Sequence, residues 1–157
     1  MNTKKIVVFI AFCGFSAGVG SLPVPHIVIH KPKPHLTVIQ KYVQIAAKKS
    51  GLPPRLIAAV IHVESRGNVD AVSSAGAIGP MQLMGSTAKM LGVNPWNPEQ
   101  NIEAGALYLA QLIKRFGGLW LGLEAYNTGP TNVAEGRVCP SAVIYATNVV
   151  RRMSEES

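Results

Sequence analysis

Residues 97–116 read NPEQNIEAGALYLAQLIKRF, and they form the strongest helix signal in the chain. Asn97 is a residue type favoured at a helix N-cap, Pro98 suits the first helical position, and Gln100 follows the cap by three residues. A pair of glycines ends the stretch. Apolar and small residues recur along one face of this helix at positions Ile102, Gly105, Ala106, Leu109, Leu112, Ile113 and Phe116. The stretch therefore predicts one long amphipathic helix with a buried side.

Five further helices are expected on either side, because apolar residues recur there at the same spacing. They run from Leu36 to a stop at Gly51, from Pro54 towards Glu64, and then over Met81–Leu91, Leu119–Asn127 and Ser141–Met153. Residues 65–79 are rich in Gly, Ser and Asn, which indicates a loop or a small hairpin. The pattern predicts a compact, mostly α domain with one irregular loop insertion.

The composition favours a single globular domain. The chain has 157 residues, a charged fraction of only 15% and a formal net charge of +7 at pH 7. A positive balance favours acidic surroundings such as wall polymers or anionic lipid faces. The basic residues are scattered and carry no interleaved aromatics, so we expect no nucleic-acid partner.

The first 35 residues are expected to lie outside that domain. Residues 1–20 have the pattern of a signal peptide, with a positive start, an apolar run and small residues at its end. An uncleaved membrane anchor is the alternative. Residues 21–35 are rich in Pro and His and predict an extended tether, which leaves residues 36–157 as the folded domain.

Neither the histidines nor the cysteine indicates a metal site. His26, His30 and His35 all lie in the tether, which would hold a metal ion in poor geometry. Cys139 would be the only cysteine left after removal of the leader, and it has no obvious His partner. We therefore expect no metal and no cofactor, with Cys139 a spectator thiol or one that pairs between chains.

Glu64 is the most informative residue. At helical spacing it continues an apolar face made by Leu56, Ile57, Val60 and Ile61. A carboxyl group on that face would meet the core or the floor of a cleft, where burial raises its pKa and suits it to general acid catalysis. The alternative is that Glu64 ends the helix and turns to solvent beside Arg66.

A second catalytic carboxylate is hard to find. Glu99 and Glu103 complement a helix dipole, and Asp70 and Glu135 lie in loops. Glu124 is expected at the surface, with a position in the cleft as the alternative. Because glycosidases usually need two carboxylates, this scarcity favours a mechanism in which the substrate supplies the nucleophile.

Four motifs in order resemble those of the soluble lytic transglycosylase family. They are Glu64-Ser65, the run GAIGPMQLM at 76–84, the run NIEAG at 101–105 followed by Tyr108-Leu109, and the run AYNTGP at 125–130. The resemblance covers residues 36–153. It implies a lysozyme-like helical domain of the small accessory type found in secretion and conjugation machineries.

The resemblance also implies a periplasmic enzyme, acting as a monomer on peptidoglycan glycan strands. Such an enzyme cleaves the β-1,4 bond between N-acetylmuramic acid and N-acetylglucosamine and leaves a 1,6-anhydromuramic end. Glu64 would be its single acid and base. A hydrolytic muramidase of the same fold and a non-catalytic glycan-binding assembly protein are the rival readings.

Six more residues match family site positions. Ser65 would position groups near the acid, Met81 and Gln82 would contact the glycan, and Tyr126 and Asn127 would face the acid and the intermediate. Tyr145 would form a hydrogen bond near the glutamate. Packing is the alternative for Met81, Tyr126 and Tyr145, and a helix C-cap for Asn127.

Some other positions in the motifs are expected to have structural roles, and some depart from the family pattern. Asn101 and Gly105 are expected to serve in capping and close helix packing. Pro80 replaces a usual Leu, Thr128 a common Ala, and Glu124 a small or apolar residue. A Glu124 facing the cleft would raise the pKa of Glu64 or activate water, which would favour hydrolysis over transglycosylation.

Overall fold

The computed structural model describes residues 34–137 and 139–155. The predicted signal peptide, and the tether up to residue 33, lie outside the described residues. The described part is built from helices and one small sheet, which agrees with the mostly α prediction. Its elements in chain order are α1 Pro34–Ser50, α2 Pro54–Ser65, β1 Ala77–Ile78, β2 Leu83–Met84, α3 Gly85–Leu91, α4 Pro98–Phe116, α5 Leu119–Thr128, α6 Pro130–Ala134 and α7 Pro140–Glu155.

The long helix predicted over residues 97–116 is α4. The Asn97 side chain accepts a hydrogen bond from the Gln100 backbone N–H, and Gly117 ends the helix in the left-handed region. Its apolar face packs against α1 on one side and α5 on the other. The helix ends read from the sequence are therefore confirmed at both termini.

The core surrounds α2, which packs against α1 and α7 while α5 contacts α4 and α7. Ile57, Ala59 and Val60 of α2 are fully buried. Their neighbours in one continuous apolar cluster include Val43 of α1 and Val149 of α7. Burial of this kind stabilises a fold by about 25 cal/mol per Å² of apolar surface. The helix that carries Glu64 is thus anchored in the apolar core of the domain.

The prediction of a helix over Met81–Leu91 was only half right. Helix α3 begins at Gly85, because residues 83–84 form β2 and pair antiparallel with β1. Gln82 has a φ of 49°, a left-handed conformation that interrupts a right-handed helix. The short helix α6 was not predicted. It starts one residue after the φ of 92° at Gly129.

The ends of α1 also differ slightly from the sequence expectation. The helix begins at Pro34, so the last two residues assigned to the tether are helical. A proline at the start of a helix loses no hydrogen bond, since that N–H has no partner within the helix.

Among the described helices, none is both long enough and apolar enough to cross a membrane.

Candidate active site

Glu64 lies in the last turn of α2, where its side chain is half-buried. Burial raises the pKa of this carboxyl from its usual 4.5 to about 7, although a hydrogen bond from Tyr145 acts in the opposite direction. The alternative position in solvent beside Arg66 does not occur, and the described residues contain no Glu64–Arg66 ion pair. A carboxyl group that stays partly protonated near neutral pH can serve as a general acid.

Tyr145 reaches this carboxyl from α7. Its hydroxyl donates to Oε1 of Glu64 at 2.7 Å, and its side chain is only 7% exposed. Burial and the charge of Glu64 raise the pKa of Tyr145 well above 10. The hydroxyl therefore stays neutral and acts as a permanent donor that fixes the orientation of the acid.

Ser65 connects the end of α2 to the turn before Met81. Its hydroxyl donates to the carbonyl of Pro80 at 2.9 Å and contacts the carbonyl of Ile61 at 3.2 Å. The same oxygen accepts from the backbone N–H of Gly67. Ser65 thus fixes the distance between α2 and the hairpin formed by β1 and β2.

Met81 is held by its backbone and buried by its side chain. Its N–H donates to Oδ1 of Asn101 at 2.9 Å, and its carbonyl accepts from the hydroxyl of Tyr126 at 2.9 Å. The side chain has 0% exposure and belongs to the core cluster. This burial supports the packing alternative for the side chain, and a contact between Met81 and the glycan stays a prediction.

Gln82 follows in a strained turn. Its side-chain nitrogen donates to the carbonyl of Gly79 at 2.9 Å and to the carbonyl of Ala71 at 3.3 Å. These bonds hold a non-glycine residue at positive φ, a conformation that tends to persist only where the surroundings enforce it. With both donors directed at the hairpin backbone, the amide oxygen is the group left for a ligand.

Tyr126 of α5 also lies near Glu64. The centroid of its ring lies 5.8 Å from that of Tyr108, and its hydroxyl donates a hydrogen bond to the Met81 carbonyl. Burial is the largest cause that raises its pKa, and the nearby charge of Glu64 is the second. The tyrosine therefore supports the hairpin beside the acid.

Asn127 differs from its neighbour because its side chain is exposed. The helix does not end there: α5 continues to Thr128, and the N–H of Gly129 closes it on Ala125. The C-cap alternative is therefore wrong. Within residues 34–137 and 139–155 the structure gives the Asn127 amide no hydrogen-bond partner, which leaves it available to a ligand.

Asn101 contributes more than the capping role expected of it, because Asn97 is the cap. Asn101 has 0% exposure, and its amide nitrogen donates to the carbonyls of Ile78 at 2.8 Å and Pro95 at 3.0 Å. Together with the bond to Met81 it fixes three backbone groups of the hairpin and the following loop. The sequence signal was a polar residue four positions before Gly105, on the packed side of α4.

Gly105 is packed as closely as expected. A Cβ at this position would lie 2.7 Å from Sδ of Met81 and 3.1 Å from the hydroxyl of Tyr126. The absence of a side chain lets α4 approach the turn that carries Met81. Helix packing and site geometry therefore depend on the same glycine.

Glu124 was expected at the surface, and this was wrong: the residue is only 4% exposed on α5. It is not among the groups that raise the pKa of Glu64, whose shift comes from burial.

Cys139 is exposed, with its sulfur 2.9 Å from Oγ of Ser141, and this hydrogen bond lowers the pKa of the thiol. The described residues hold no cluster of three potential metal ligands.

The model of the transglycosylase SLT domain family matches residues 41–138, which include the whole site except Tyr145. A protein of Enterobacteria phage PRD1 named transglycosylase is 47% identical over 90 residues, covering 57% of this chain and 34% of that protein. Membrane-bound lytic murein transglycosylase F of Pseudoalteromonas translucida is 45% identical over 92 residues, covering 54% and 20% respectively.

Two solved structures have the same fold. An inactive mutant of lytic transglycosylase Slt from Pseudomonas aeruginosa has a TM-score of 0.63 and 28% identity, covering 73% of this chain and 23% of that one. The 70 kDa soluble lytic transglycosylase of Escherichia coli has a TM-score of 0.60 and 26% identity, covering 72% and 23%. The chain thus spans about a third or less of the length of these relatives.

Proposed function

Because the chain belongs to the transglycosylase SLT domain family, we propose that it is a peptidoglycan lytic transglycosylase. Its substrate is the glycan strand, and the bond cleaved is the β-1,4 linkage from N-acetylmuramic acid to N-acetylglucosamine. The product is a 1,6-anhydromuramic end. The names of the relatives, which describe transglycosylases and murein, support this assignment.

One observation carries the proposal. A single glutamate, Glu64, has a pKa of about 7 and is oriented by a tyrosine hydroxyl at 2.7 Å. Near neutral pH both its acid and its conjugate base are populated. A residue that must donate a proton and later remove one works best at such a pKa.

In the first step Glu64 is the acid. Its proton goes to the glycosidic oxygen, the bond from that oxygen to the anomeric carbon breaks, and N-acetylglucosamine leaves. The acetamido carbonyl oxygen of the muramic residue forms a bond to its own anomeric carbon. The substrate thereby supplies the nucleophile, which removes the need for a second carboxylate.

In the second step Glu64 is the base. Its carboxylate takes the proton from the C6 hydroxyl, the C6 oxygen bonds to the anomeric carbon, and the acetamido oxygen is released. The proton balance closes, because the glutamate regains the proton it gave away. No metal, cofactor or water takes part.

The other site residues act through position and through hydrogen bonds to the sugar. Tyr145 holds the carboxyl group, and Ser65 fixes the hairpin to its helix. The free amide of Asn127 and the amide oxygen of Gln82 suit hydroxyl and N-acetyl groups, because amides donate and accept. We assign these two side chains to glycan binding.

The test is digestion of purified peptidoglycan by the protein and by Glu64→Gln, with mass spectrometry of the muropeptides. We expect anhydro-ended products from the protein and none from the variant. Hydrated reducing ends would make the protein a muramidase instead. A folded protein that binds glycan but releases nothing would leave the non-catalytic assembly role.

Export to the periplasm and service to an envelope-spanning secretion or conjugation machine are further parts of the proposal. The leader-like residues 1–20 support export. Fractionation of cells that produce the tagged protein tests it, with recovery in the periplasm as the expected result and retention in the cytoplasm as the contrary one. A deletion strain that secretes or conjugates normally would contradict the service to a machine.

A further inference from the structure

A groove with a volume of about 770 Å³ lies between α1 and α2, and Glu64 does not belong to its lining. We refer to it as the basic groove. Its rim carries Lys41, Arg55, His62 and Arg66, all of them exposed. Its floor is apolar and consists of Ile39, Val43, Ala58 and Ile61.

The positive charge of the basic groove is not neutralised by the fold. No Asp or Glu belongs to its lining. The three ion pairs found over residues 34–137 and 139–155 involve none of Lys41, Arg55 and Arg66. Arg152 also reaches the groove, but it pairs with Glu155 and is not counted.

One of these cations stands where the fold gains nothing from its charge. Arg55 lies in the first turn of α2, where a positive charge opposes the helix dipole and an acidic residue would stabilise it. Arg66 ends the same helix with a φ of 54°, where glycine is less strained, although its charge there complements the dipole. The charge of Arg55 is therefore not explained by stability.

We propose that the basic groove binds an acidic amphipathic segment of a partner protein. The floor residues of α1 are four positions apart in the chain, and those of α2 are three positions apart. Each helix therefore contributes one row of apolar side chains, and the two rows form an apolar trough. A partner helix with aliphatic residues on one face would fill that trough. Carboxylates on its flanks would meet the rim cations of both helices, which fixes its register.

Three other anionic partners fit the groove less well. A bilayer surface is flat on this scale, and its acyl chains cannot reach a recessed floor between two helices. Single-stranded nucleic acid needs large aromatic side chains for base stacking, and the lining contains no Phe, Tyr or Trp. The stem peptides of peptidoglycan are acidic but lack a continuous aliphatic face.

The experiment measures binding of a labelled helical peptide, with leucines on one face and glutamates on both flanks, by fluorescence anisotropy. A twin peptide with glutamine in place of glutamate is the control ligand. We expect the acidic peptide to bind more tightly than its twin. In Lys41→Gln/Arg55→Gln its Kd should rise about tenfold, as expected for two charge contacts at a partly screened surface.

The matched control is Lys89→Gln/Lys114→Gln, which makes the same change in net charge outside the groove and should leave the Kd unchanged. A second variant, Ala58→Glu, places a carboxylate on the floor and should abolish binding. Thermal unfolding checks each variant, and Arg55→Gln should melt no lower than the parent. The groove variants should release muropeptides at the same rate as the parent protein. A failure of the groove proposal can therefore be distinguished from a failure of the proposed enzyme activity.

Three results would overturn the proposal. One is no measurable binding of the acidic peptide, and another is equal binding by the groove and control variants. The third is groove-dependent sedimentation with phosphatidylglycerol vesicles without peptide binding, which would assign the surface to lipid headgroups.

Discussion

Tyr145 and Glu64 are 81 positions apart in the chain, yet the tyrosine hydroxyl donates to the glutamate Oε1 at 2.7 Å. The contact spans the packing of α7 on α2. It opposes burial, which raises the pKa of the carboxyl, by stabilising the carboxylate form. The last helix of the domain therefore adjusts both the orientation and the protonation of the proposed acid.

The variant Tyr145→Phe tests that relationship. Removal of the donor destabilises the carboxylate, so the pKa of Glu64 should rise further and the alkaline limb of the pH–rate profile should move to higher pH. The rate at its optimum should fall about tenfold, because the acid loses its orientation. The pH dependence of peptidoglycan solubilisation checks both effects.

Tyr126→Phe is the contrasting variant. Its hydroxyl bonds to Met81 and not to Glu64, so the alkaline limb should stay close to that of the parent. An equal displacement in both variants would contradict the role given to Tyr145.

Glu64→Gln should stabilise the protein above neutral pH. The folded pKa of about 7 exceeds the unfolded value of 4.5, so the native state binds more protons between these values and loses stability as pH rises through them. At pH 8 the ionised carboxyl costs at most about 3 kcal/mol. Urea unfolding at pH 4 and pH 8 should show a gain for the variant only at the higher pH. An equal gain at both values would contradict the raised pKa.

Asn101→Leu should unfold or loosen the hairpin. The substitution removes three hydrogen bonds, to Met81, Ile78 and Pro95, and leaves buried backbone groups without partners. We expect a loss of about 3 kcal/mol in the free energy of unfolding. Asn101→Asp is the matched variant: it still accepts from Met81 but cannot donate to the two carbonyls. Chemical denaturation should give both variants a lower free energy of unfolding than the parent protein. Parental stability in either variant would contradict the role given to Asn101.

Gly105→Ala should destabilise the domain although alanine is the better helix former. The gain in helix propensity is about 1 kcal/mol. The new methyl group would lie 2.7 Å from Sδ of Met81, and overpacking of this kind costs about 1–3 kcal/mol. Gly85→Ala is the control, because nothing lies within 4 Å of a Cβ there. Melting temperatures should fall for the first variant and not for the second.

The helices and the inward position of Glu64 were predictable because they depend on local periodicity. The apolar stripe of α2 directed Glu64 inward, and the cap at Asn97 set the start of α4 within one residue. These signals act over one to four positions in the chain. Nothing distant competes with them in the elements that they define.

The position of the hairpin formed by β1 and β2 was not predictable for the opposite reason. The backbone of Met81 is fixed by Asn101, which lies 20 positions away, and by Tyr126, which lies 45 positions away. Glu124 was misplaced since its burial depends on how α5 packs into the domain, which no local pattern of charges reveals. Long-range hydrogen bonds and packing decided these positions.

The bond from Ser65 to the carbonyl of Pro80 closes the segment between them at its base. A segment closed in this way tolerates extra length at its far end, because doubling a loop costs only about 0.6 kcal/mol in closure entropy. Ser74 and Ala75 lie exposed at that end, in the turn from Ser73 to Gly76. The domain therefore offers a grafting point at which a foreign peptide or binding module can be displayed beside the proposed glycan site without disturbing Glu64.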